Sequence, residues 1–153
     1  MTTAVPIHSP AARLYDEDFY DWTISTALLL RQRRFAEIDI AHLAEELEDM
    51  GKREHRSLKS HIRHVTLHLL KWQYQPDKRS PSWRQSIRNG RIEIHELLHD
   101  SPSLVSQVPQ ILEDEYPAAR ADAIDETGLA EGTFPVKCPF TVEQVLTAEY
   151  LPE

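Results

Sequence analysis

An apolar line with the period of an α-helix runs through the stretch from Ile38 to Gln75. At 3.6 residues per turn, Ile40, Leu43, Leu47, Leu58, Ile62, Val65, Leu69 and Trp72 fall within roughly a third of the circumference. The phase is the same on both sides of Gly51. Two separate helices joined by a turn would have no reason to keep it. The spacing therefore predicts one helix of roughly 36 residues, about 54 Å long, with any bend at Gly51. Towards its end Leu67, Leu70 and Tyr74 lie off the main line, so His68–Tyr74 is expected to be covered on several sides. A homodimer formed through the apolar surface near Trp72 follows as an expectation.

The rest of the chain must pack around this helix. With 153 residues, 41% of them hydrophobic, there is enough material for one core and too little for two full domains. Ten prolines, four glycines and many Leu, Ala, Glu and Arg residues point to helices punctuated by proline. The expected fold is all-α: a single-domain helical bundle of about four main helices built round the long one, plus a short C-terminal helix. Residues 1–13, with Pro6 and Pro10, are expected to form a poorly ordered arm, and residues 14–153 the domain. The longest apolar runs, Ala27–Leu30 and Leu67–Leu70, are far shorter than the roughly 20 residues of a membrane span. Met1–Pro10 lacks the basic start and apolar centre of a signal peptide, so a soluble cytoplasmic protein with no membrane partner is expected.

Helix boundaries are marked along the chain. Acids at Asp16–Asp18 and bases at Arg31, Arg33 and Arg34 suit the ends of a first helix. Asp39 is placed to cap the long helix, and Pro76 to stop it. Ser80 followed by Pro81 opens a third helix reaching about His99, with Trp83, Ile87, Gly90, Ile94, Leu97 and Leu98 on its inner face. Gly90 on that face invites close approach of another helix. Ser101 and Pro102 repeat the start signal for a fourth helix to about Glu126, ending before Gly128 and broken or kinked near Pro109 or Pro117. Thr141 and Gln144 form a capping box for the last, short helix.

Net charge is −8, but its distribution is more informative. Residues 1–50 carry a net −6, residues 51–92 a net +9 and residues 93–153 a net −11. Within the basic block, Lys52, Arg56, Lys59 and Arg63 recur at i, i+4, i+7 and i+11, and Arg84, Arg88, Arg91 and His95 repeat that spacing on the next helix. Either these stripes face acids on neighbouring helices, or they hold an anionic ligand or an RNA backbone.

His61, His64 and His68 share one side of the long helix, with His42, Glu45 and Glu46 far up its axis. Spacing alone does not make a metal site, paired Glu-x-x-His segments of a di-metal bundle are lacking, and a histidine beside an apolar line is ordinarily a buried one; no metal and no cofactor is expected. Glycine-rich phosphate loops and nucleophile elbows are likewise missing. Cys138, alone in a loop, is expected to be inert. Arg63-His64-Val65-Thr66-Leu67-His68 resembles the active motif of HEPN-type ribonucleases, all-α and commonly dimeric proteins. The resemblance implies metal-independent RNA cleavage, with His as acid or base and Arg stabilising the phosphate.

Several stretches together carry a broader resemblance: Leu14-Tyr15, Asp18-Phe19-Tyr20 and Trp22; Leu43–Gly51; His68–Pro76; Ser82-Trp83-Arg84; Pro102-Ser103-Leu104; and Phe134-Pro135 with Cys138-Pro139. They are similar to the bacterial family called domain of unknown function 29, from about Leu14 to Leu146. That resemblance implies an all-helical bacterial domain and transfers no catalytic residue. The functional expectation is a non-catalytic binding or regulatory module with an unknown protein partner. The alternative is a metal-independent ribonuclease or RNA-binding module using Arg63, His64 and His68.

Overall fold

The computed structural model describes residues 10–153, which form six α-helices and short 3-10 turns, with no strand among them. The helices are α1 (Pro10–Glu17), α2 (Phe19–Arg31), α3 (Ile40–Tyr74), α4 (Pro81–Asp100), α5 (Val108–Thr127) and α6 (Val142–Leu146). Residues 1–9 of the expected arm lie outside the described residues, and residues 10–13 fall in α1. The long helix is continuous through Gly51. The chain divides into two compact units, one ending at Lys52 and the other Arg53–Glu153.

In the first unit Asp18 caps α2, its side chain accepting the Asp21 N–H at 2.9 Å. Asp39 does the same before α3, accepting the backbone N–H of His42 at 3.3 Å and the ring Nδ1–H of the same residue. Tyr15 of α1 stacks on His42 with ring centroids 3.9 Å apart, meets Trp22 edge-on at 4.9 Å and donates its hydroxyl to Glu46 Oε1 at 2.6 Å. That carboxylate pushes the phenol up to about 12. These contacts join Tyr15, Trp22, His42 and Glu46 in one cluster. The apolar side chains around them are less well covered than the helical period predicts: Ile40 and Leu47 are 59% and 60% exposed. The line on α3 is left partly uncovered there among the described residues, so those two positions are a correction to the expected core.

The second unit holds the main core. Here the same line is buried as expected: Leu58, Ile62, Val65 and Leu69 are fully covered and Trp72 nearly so, as α3 packs against α4 and α5. Every residue from Val65 to Trp72 is buried. Ser80 caps α4 by accepting the Trp83 N–H, and Pro81 takes its first position, where its missing N–H has no partner to lose. Gly90 has the close approach expected of it: a Cβ built there would sit 2.6 Å from Val65 Cγ2.

The fourth helix departs from expectation at its start. Pro102–Gln107 is a 3-10 segment, and α5 begins only at Val108, which puts Pro109 in the first turn where N–H groups are free in any case. Pro117 stands inside α5 without ending it. Gly128, with φ +68°, closes the helix in the left-handed conformation that a glycine adopts at little cost. The loop that follows is tied back to α5: Tyr116 donates its hydroxyl to Pro135 O at 2.5 Å, and Arg120 donates to Phe134 O and Glu131 O. Phe134 is thereby held in the core against Tyr74. Thr141 and Gln144 make the expected capping box of α6.

Candidate functional site

The basic stripes divide once their partners are known. On α3, Lys59 pairs with Glu115 at 2.9 Å, Arg63 with Asp122 at 2.6 Å and Lys71 with Glu126 at 2.6 Å. Both members of these pairs ascend along the chain, so α3 and α5 run parallel with a charged seam beside their apolar contact. Lys71 is buried with its stem and reaches out to Glu126, passing 4.7 Å from the Trp83 ring centre. Acids of the negative C-terminal third thus neutralise cations of the basic block. Lys52, at the other end of the stripe, is held 3.0 Å from Asp49.

On α4 the four members of the expected stripe part company. Arg91 is 2% exposed and engaged by four backbone carbonyls: Nε donates to Val145 O at 2.9 Å, NH1 to Tyr150 O at 2.8 Å and Ala148 O at 3.2 Å, and NH2 to Gln144 O at 2.8 Å. His95 Nε2 donates to Leu146 O at 2.8 Å. Both side chains cap the C-terminal end of α6, whose carbonyls have no helical partner, and the negative end of that helix suits a cation. Arg84 and Arg88 point outward, and no carboxylate bonds to either among the described residues.

Arg84 and Arg88 are joined by Arg79 from the turn after α3, a residue the stripes do not reach. Together with Trp72, Ser80 and Asn89 they line a groove of about 760 Å³ that contains no carboxylate. Arg79 donates from Nε to Trp72 O at 2.9 Å, and its guanidinium carbon lies 5.2 Å from the Trp72 ring centre; that of Arg84 lies 5.4 Å away. The indole face fixes two cations that would otherwise be free to swing. The sequence signal for Arg79 was its place seven residues after Trp72, across a proline-marked turn. A second hollow of about 560 Å³ shares Arg84 and Arg88 and adds the exposed Ile92 with Leu151 and Glu149. Arg84, Arg88 and Ile92 follow one another at i, i+4 and i+8 and make a ridge, two cations followed by an apolar side chain.

The surface near Trp72, expected to be apolar and to join two copies, is thus arginine-covered, with Trp72 only 6% exposed. The segment is apolar, but α4, α5 and the arginines already enclose it.

The ribonuclease-type residues lie at a different place. Arg56, Lys59, Arg63 and His64 line a cleft of about 370 Å³ between α3 and α5, with Glu115 and Asp122 on its far wall. Arg63 is engaged there by Asp122 through two nitrogens, at 2.6 and 2.8 Å. His68 is buried and donates its Nδ1–H to His64 O at 2.9 Å. Burial holds both His64 and His68 below the usual histidine range, and each also feels a cationic neighbour or a second histidine. Their ring centres are 4.4 Å apart. Among the described residues no three His, Cys, Asp or Glu side chains converge to hold a metal ion. Cys138 is half-buried, its thiol directed at Phe140 O at 3.5 Å, and burial pushes it up and away from the reactive thiolate. No helix of the described residues is long and apolar enough to cross a membrane.

No curated protein and no solved structure matches the chain. The model of the family described as Domain of unknown function DUF29 matches residues 14–151, almost the whole chain, and the protein belongs to that family.

Proposed function

We propose that the protein is a non-catalytic binding module whose α4 groove takes an acidic, partly apolar segment of a partner protein. The observation that carries this reading is the contrast in charge pairing. Lys59, Arg63 and Lys71 each have a carboxylate, and Arg91 is consumed by carbonyls, while Arg79, Arg84 and Arg88 share a groove with none. Cations held rigid on an indole and left without counter-ions favour a carboxylate, which an arginine grips through two parallel N–H donors. The ridge Arg84–Arg88–Ile92 matches a helix that presents two acids one turn apart and then a leucine. Arginine and tryptophan are also the residue types that most often anchor protein interfaces.

A net charge of −8 opposes the long-range approach of any polyanion; the exposed Ile92 beside Arg84 and Arg88 is what favours a peptide over nucleic acid. One observation favours RNA as the second reading: the cleft beside α5 brings Arg63 and His64 together. That reading needs Arg63 to leave Asp122 and His68 to become reachable. The test is fluorescence anisotropy with two labelled probes, an amphipathic peptide of Glu and Leu in helical register and an oligo-uridylate of equal charge, in chelator and across salt concentrations. Tighter binding of the peptide supports the module. Tighter binding of the RNA, or its cleavage with loss in Arg63→Ala and His68→Ala, replaces it with the ribonuclease reading.

A further inference from the structure

The first unit, made of α1, α2 and the start of α3, leaves much apolar surface uncovered. Nine of the twelve large apolar side chains exposed among the described residues belong to it, although it ends at Lys52. They are spread over α2, the turn at Phe35 and the start of α3. The feature is sharpest on α2. Its thirteen residues, FYDWTISTALLLR, include two charges only, yet Trp22 and Thr26 are the only ones fully buried. A helix apolar nearly all round is ordinarily enclosed on all sides.

We infer that α2 packs antiparallel against α2 of a second copy of this chain, about a two-fold axis at Ile24. Tyr20, Ile24 and Leu28 are 75%, 54% and 50% exposed and recur at i, i+4 and i+8, a single outward ridge. The ridge is symmetric about Ile24, so antiparallel pairing sets Tyr20 of each copy against Leu28 of the other and Ile24 against itself. The ends carry matching charges. Asp16 and Glu17, at the end of α1, and Asp21, in the first turn of α2, stand exposed at one end, and Arg31 stands exposed at the other. Antiparallel pairing brings the acidic start of each α2 beside the basic finish of the other, whereas parallel pairing sets like charges together. Such an isologous contact is closed, because one face on each copy completes it. It lies wholly within the first unit and is independent of the α4 groove.

The test is sedimentation equilibrium of the full chain with circular dichroism to verify folding. The wild type is expected to dimerise at micromolar concentration. Arg31→Glu, a change at an exposed site, is expected to weaken the dimer about tenfold, and Glu17→Lys in the same chain to restore it, since each swapped end then meets its complement on the other copy. Ile24→Cys in a Cys138→Ser background is expected to form a disulfide-linked dimer on mild oxidation, because two copies of the residue meet at the axis. A wild type that stays monomeric at 100 µM overturns the inference. So does a dimer indifferent to Arg31→Glu, or one in which position 24 does not cross-link.

Discussion

Replacing Arg91 by alanine should unfasten the C-terminal segment. The guanidinium makes four hydrogen bonds to carbonyl oxygens of residues 144–150 and is 2% exposed, so its loss strands those oxygens in a space that water enters poorly. A hydrogen bond from a charged donor contributes about 1.5–3 kcal/mol net, but four on one side chain are not additive, and Arg91 also gives up the desolvation penalty of its own charge. Burial alone holds Arg91 below the usual arginine range, a sign of that penalty. Weighing these, we expect a loss of about 3 kcal/mol for Arg91→Ala. Arg91→Lys retains the charge but offers one compact donor group for several dispersed acceptors, and should lose about 2 kcal/mol. Urea unfolding gives the total, and hydrogen exchange locates it: amides of Val142–Tyr150 should lose protection before those of α3. A loss below about 1 kcal/mol, with exchange in α6 unchanged, would refute the assignment of Arg91 as the clasp of α6.

Gly90→Ala gains helix propensity, yet its methyl would meet the fully buried and rotamer-restricted Val65 at 2.6 Å, so a net loss of about 1–3 kcal/mol is expected as a lowered urea midpoint at constant m. Glu126→Ala leaves the Lys71 ammonium without its carboxylate and should cost about 1 kcal/mol, whereas Lys71→Met removes the charge and keeps the buried stem and should stay within about 1 kcal/mol of the parent in the same unfolding assay. His64 and His68 have folded values depressed below 6.5, so below that pH the unfolded chain takes up protons that the fold refuses; stability should fall from about pH 6.5 towards the depressed values, and His68→Gln should flatten the fall. His42 has the opposite sign. Its bond to Asp39 raises it above 6.5, so its contribution is complete below that pH and lost as pH rises through the raised value, which a pH titration of the His42 ring by NMR will register as a raised midpoint.

How far residues announce their structure differs between the helices and the site. The period of the line on α3 and the end signals at Ser80-Pro81, Gly128 and Thr141 with Gln144 are local, a few residues deciding a few others, and the elements appear where these signals put them. The late start of α5 came from a competition that the Ser101-Pro102 signal does not resolve: a 3-10 segment carries the chain to Gln107, and the helix opens at Val108 with Pro109 in its first turn. Exposure of Ile40 and Leu47 was not legible because periodicity tells which residues share a face, not whether anything covers it. The same limit governs the charges. Arg84, Arg88, Arg91 and His95 have one spacing and one helical sector, yet two cap carbonyls more than 50 residues away and two bond to no carbonyl or carboxylate among the described residues. The acids that neutralise Lys59, Arg63 and Lys71 are likewise more than 50 residues distant, and which cation meets which acid depends on the parallel register of α3 and α5.

The separation of employed from unemployed cations makes one direct demand on experiment. The acidic amphipathic peptide should be titrated against the wild type, an Arg84→Ala/Arg88→Ala variant and an Arg63→Ala variant, with a urea midpoint measured for each. The groove variant should lose no more than about 1 kcal/mol of stability, the contact of Arg84 with the Trp72 ring, and at least about tenfold in affinity, roughly 1.4 kcal/mol, because neither side chain has a hydrogen-bond or ion-pair partner among the described residues. Arg63→Ala should lose stability by abandoning Asp122 and bind as the wild type does. Equal affinity in the groove variant, or binding lost with Arg63 instead, would contradict the account and move the site to the cleft between α3 and α5.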